Sequence, residues 1–94
     1  MSAHFPPPNP VDLLSQAREH VRPHLDRSQP VTYRLRALWA ATTAAVACGA
    51  TDVVEAEFLD LARDTSLIAD LGRHGEGDAR HVIRAAMLGT NPFQ

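Results

Sequence analysis

The segment Ala37 to Ala50 is the most apolar in the chain, and its centre, Ala40-Ala41-Thr42-Thr43-Ala44-Ala45-Val46-Ala47, presents small side chains in every direction. At about 14 residues it falls short of the roughly 20 that a membrane span needs, so it reads as a buried helix. Small side chains let neighbouring helices approach it on more than one face. A chain built around such a segment has to supply further helices to cover it.

Those helices are legible on either side. Asn9 is a capping residue, Pro10 suits the first helical position and Asp12 suits the positive end of the macrodipole, so a first helix opens there. Leu14, Ala17 and Val21 recur at helical spacing, and Pro23 ends or kinks the helix at about Arg22. Ser28 and Pro30 announce the apolar helix, roughly 30–48, whose first turns place Val31, Leu35, Leu38 and Trp39 inside and Arg34 and Arg36 outside. Trp39 is therefore expected in the core. A third helix, capped by Thr51, carries Val54, Phe58, Leu61, Thr65, Ile68 and Leu71 in one stripe. Asp64-Thr65-Ser66 is the place where it would break and recap a shorter piece ending at Gly72. After a loop from Arg73 to Gly77, a last helix runs from about Asp78 to Leu88, with Val82, Ile83, Ala86 and Met87 inward. Gly89 and Pro92 stop it, and Phe93 is placed to fold back on the bundle. No alternating run of strand length occurs. The expected fold is all-α, a small four-helix, mainly antiparallel bundle over residues 10–94. Residues 1–9, with Pro6, Pro7 and Pro8, are expected to form a flexible proline-rich arm, either a disordered terminus or a docking segment in which Phe5 anchors onto a partner.

With 94 residues, 45% of them hydrophobic and 21% charged, the chain has the makings of one domain with a modest core. Its single cysteine, Cys48, cannot form an internal disulfide, and no charged leader followed by an apolar run opens the sequence, which points to the cytosol and away from membranes. All nine basic residues are arginine. Five of them stand in residues 1–47 against Asp12, Glu19 and Asp26, whereas four stand against eight acids in the second half. A surface for nucleic acid must then use Arg18, Arg22, Arg27, Arg34 and Arg36. The overall pI of about 6.2 is low for a large basic face.

Candidate chemistry is sparse. His20 and His24 stand four apart, a metal-ligand spacing, but Pro23 between them threatens the helical geometry. His74 and His81 with Glu76 and Asp78 make a polar cluster that helix-capping acids account for. Cys48, at the end of the apolar helix, reads as a small buried hydrophobe rather than a nucleophile. Gly72, Gly75 and Gly77 follow no strand and have no lysine, so they form no phosphate-binding loop. No enzymatic activity, cofactor or metal is expected.

The segment Arg73-His74-Gly75-Glu76-Gly77-Asp78-Ala79-Arg80-His81-Val82-Ile83, with Gly89-Thr90-Asn91-Pro92-Phe93, resembles C-terminal segments of small proteins from alphaproteobacterial genomes and mobile elements. The resemblance implies a bacterial origin and no particular activity.

The expected function is that of a small regulator, adaptor or inhibitor acting by contact with another protein, with a DNA-binding regulator as the alternative. Glu57, Asp60, Asp64 and Asp70 lie on the polar face of the third helix with Arg63 as their basic neighbour, and like charges at those spacings repel. A protein partner with a basic surface would relieve that repulsion, although the same acids also serve solubility alone. Val53, Val54, Leu59, Leu67 and Ile68 exceed what one stripe needs, which suggests a twofold homodimer.

Overall fold

The computed structural model describes residues 10–49 and 51–93, so the proline-rich arm read over residues 1–9 lies outside the described residues. Among those residues the chain is all-helical, with five α-helices where four are expected, one 3₁₀ turn and no strand. None of these helices is long and apolar enough to cross a membrane.

Helix α1 (Pro10–Val21) buries Leu14 and Val21. Pro23 does not stop the helical path but tightens it into a 3₁₀ turn, Arg22–Leu25, because a proline cannot donate the next i→i−4 bond. Leu25 at the end of that turn is fully buried. The Asp26 carboxylate then accepts the Ser28 N–H at 3.0 Å, which turns the chain toward Pro30.

Helix α2 (Val31–Ala47) is the centre of the fold, since every other element packs against it. Its buried stripe is Arg34, Leu38, Thr42 and Ala45. Thr42 is tolerated there because its hydroxyl donates to the Leu38 carbonyl at 2.7 Å, and Thr43 does the same to Trp39 at 2.9 Å. The stripe is rotated from the one the sequence suggests. Arg34 lies inside, Val31 is exposed, and Trp39 is only partly buried. The expectation of a core tryptophan is therefore corrected. Trp39 instead lies under the chain's C-terminal tail, donating its indole N–H to the Thr90 carbonyl at 2.8 Å and meeting the edge of Phe93 at 6.3 Å between ring centroids. Phe93 does fold back, as expected.

The expected third helix is two. Helix α3 (Val54–Asp64) begins after a turn over residues 51–53, so Thr51 does not cap it. It ends where the Thr65 hydroxyl bonds back to the Leu61 carbonyl at 2.8 Å and Ser66 takes a left-handed φ of 65°. Helix α4 (Leu67–Leu71) follows directly after it. This break uses the surplus apolar surface that suggested a dimer. Val54, Leu59 and Leu67 are all buried within the chain and Ile68 is half-buried, leaving Val53 exposed.

Helix α5 (Gly75–Met87) starts three residues before the expected position and lies against α2, α3 and α4. Gly75 is the reason the approach to α4 is so close, since a Cβ there would stand 2.0 Å from the Ile68 carbonyl oxygen. The buried side of α5 includes Ala79, Val82, Ile83, Ala85 and Ala86, whereas Met87, expected inward, is exposed.

Candidate functional site

The two surfaces that the sequence offers as binding sites meet each other. Arg18 on α1 pairs with Glu57 and, at 3.4 Å, with Asp60 on α3. Arg22 reaches Asp64 at 2.6 Å, and Arg27 reaches Asp70 on α4 at 2.9 Å. Arg34 reaches the other Asp70 oxygen at 2.8 Å. The acids Glu57, Asp60, Asp64 and Asp70 thus face a basic surface, and it is the chain's own. The like-charge repulsion that motivates a basic partner is relieved internally. Arg22 holds the Asp64 carboxyl below its usual range, and the Asp64 carboxylate in turn raises Arg22. Asp70 is lowered first by its hydrogen bond from Arg34 and further by Arg27, against the opposing effect of desolvation.

Arg34 differs from the others in being 1% exposed. Its guanidinium donates to the Leu25 carbonyl at 2.8 Å, to Asp70 at 2.8 Å and to the Thr65 carbonyl at 2.9 Å. It thereby joins the ends of the 3₁₀ turn and α3 to α4 and cannot meet a phosphate, which removes it from the nucleic-acid contacts suggested by the sequence. On the far side Arg63 and Arg80 share Glu76, and Arg84 pairs with Glu55, whose carboxyl is lowered by that hydrogen bond. Seven of the nine arginines are committed to carboxylates in this way. Among the described residues Arg36 and Arg73 have no carboxylate within ion-pair distance.

His20 and His24 lie with ring centroids 6.3 Å apart, and His74, at the cap of α5, and His81, midway along it, are both exposed. No group of three or more His, Cys, Asp or Glu side chains converges among the described residues. Cys48, expected to be buried, is exposed at the end of α2.

A concave site forms instead along one flank of α2. Ala37, Ala40, Ala41 and Ala44, at steps of three and four, line a groove of about 570 Å³ together with His20, Val21, His24, Tyr33 and Arg36. The first turn of α2 is held to the 3₁₀ turn by the hydrogen bond between the Tyr33 hydroxyl and His24 Nδ1, 2.8 Å long. Arg36 and Ala40 also line a second hollow of about 380 Å³, closed by Trp39, Asn91 and Phe93. Arg36 stands where the two meet, its guanidinium carbon 5.4 Å above the Phe93 ring. The small residues of this groove are visible in the sequence. Which of their faces the other helices leave uncovered is not, because that depends on the rotation of α2 set by the burial of Arg34.

No family model, curated protein or solved structure matches this chain.

Proposed function

We propose that this chain is a non-enzymatic protein-binding module, a small regulator, adaptor or inhibitor, that holds a segment of a partner protein in the groove beside α2. The observation that carries this reading is the uncovered alanine flank of the central helix, an apolar floor within a polar rim and of the size that ligand and peptide sites have. The core of a docking surface is apolar and depleted in charge, and its rim is polar, which is the distribution found here. The ion-paired face of α3 and α4 fits a partner less well, because each of its carboxylates would have to exchange an arginine of its own chain for one of the partner. The nucleic-acid alternative is disfavoured on the same ground, since Arg18, Arg22, Arg27 and Arg34 form ion pairs with carboxylates that a phosphate would have to displace, and among the described residues this leaves Arg36 alone of the first-half arginines without one.

Photo-crosslinking tests the site directly. A benzoylphenylalanine placed at Ala40 should yield a discrete adduct in the producing cells, and the same residue at Asp60 should not. If Ala40 gives no adduct above the Asp60 control, the groove is not where this protein meets a partner.

A further inference from the structure

We infer that the segment held in the groove is an amphipathic helix of a partner protein, with a small-residue apolar face and carboxylates at its edge that reach Arg36. This rests on the groove being the docking site and adds the chemistry of what docks there. Charge is the first argument. Neither the main groove nor the adjoining hollow has a carboxylate among its lining residues, whereas Arg36 lines both and has no acidic partner among the described residues. Two smaller hollows elsewhere each contain acids, Asp52 and Glu55 in one and Glu57 in the other. The α2 flank is therefore the concave surface whose rim selects an anion.

Backbone chemistry then selects the helix. An extended segment laid on four alanines would bury its own N–H and C=O groups against methyl groups, since the described residues contain no strand edge to pair with them. The donors that a polyproline ligand needs are largely taken, with the Trp39 indole bonded to Thr90 and the Tyr33 hydroxyl bonded to His24. A helix satisfies its own backbone and asks only for close approach, which alanines at steps of three and four along about two turns allow. A small anion would fill one hollow and leave the other empty.

The test uses the full chain and two designed helical peptides that share one Ala/Leu face and carry either Glu or Lys beside it, with laurate as the small anionic competitor. By fluorescence anisotropy at about 50 mM salt the Glu peptide should bind roughly tenfold more tightly than the Lys peptide, and the difference should shrink to about threefold or less near 500 mM as screening sets in. Arg36→Glu should invert the preference. Ala44→Tyr should abolish binding of both peptides with an unchanged far-ultraviolet circular dichroism spectrum. Equal binding of the two peptides overturns the acidic-helix inference while leaving the groove as a docking site. Displacement of neither peptide by laurate supports it, whereas binding of laurate without either peptide overturns it in favour of a small-molecule pocket. Failure of both peptides to bind overturns it as well, and the Ala40 crosslink then decides separately whether the groove has any occupant.

Discussion

Replacing Arg34 by methionine removes three hydrogen bonds while keeping most of the buried side-chain volume. The Asp70 carboxylate is not stranded by the change, because it is 20% exposed and Arg27 still reaches it through two bonds of 2.9 and 3.1 Å. The cost falls on the buried Leu25 carbonyl, which loses its donor at 2.8 Å, and on the part-buried Thr65 carbonyl, which loses its donor at 2.9 Å. Each stranded buried acceptor costs about 1 to 3 kcal/mol, and the apolar methionine recovers part of that, so the net loss should be about 2 to 4 kcal/mol. Against the roughly 5 to 15 kcal/mol that holds a typical domain together, this is a large fraction. Urea unfolding followed by circular dichroism should show a much lower midpoint with an unchanged m-value. Arg34→Lys should lie close to Arg34→Met, because an ammonium lacks the planar fork that serves three acceptors at once. If Arg34→Met unfolds within about 0.5 kcal/mol of the wild type, burial of this guanidinium does not organise the junction of the 3₁₀ turn with α3 and α4.

Three further outcomes follow from particular contacts. Gly75→Ala should cost about 1 to 3 kcal/mol, because its Cβ would overlap the Ile68 carbonyl oxygen, whereas Gly77→Ala, with nothing within 4 Å, should gain about 0.5 to 1 kcal/mol; equal effects in thermal unfolding would refute the close α4–α5 approach. Asp64, Asp70 and Glu55 are all lowered in the folded state, so the stability they add is complete above the ordinary carboxylate range near about pH 4 and is lost as pH falls through their native values. Asp70→Asn should accordingly be less stable than the wild type at neutral pH, with the gap closing on acidification, and a gap that widens in acid would contradict the pairing. Phe93→Ala should shift Trp39 emission to the red and raise its quenching by acrylamide for a loss of about 0.5 to 1.5 kcal/mol, and unchanged emission would show that the tail does not cover the indole.

The features of this fold that can be read from the order of its residues are local. The start of α1 near Pro10, the apolar run of α2 and the stop at Gly89 depend on side chains acting on backbone groups within three or four residues, and such signals are written in the order of the chain. The central place of α2 was legible for a related reason, since small side chains all round leave room for neighbours on several sides. The site was not legible. Hydropathy turns Arg34 outward and puts Trp39 in the core, whereas Arg34 is buried and Trp39 only partly so, because Asp70, Leu25 and Thr65 converge on that guanidinium from positions 9 to 36 residues away. Likewise Glu57, Asp60, Asp64 and Asp70 look unpaired in sequence, and their arginines lie 36 to 43 residues earlier. Only the tertiary structure decides such pairings, because a buried charge is stable solely where partners from separate elements arrive together. The rotation of α2 that this imposes is what leaves Ala37, Ala40, Ala41 and Ala44 open beside Arg36.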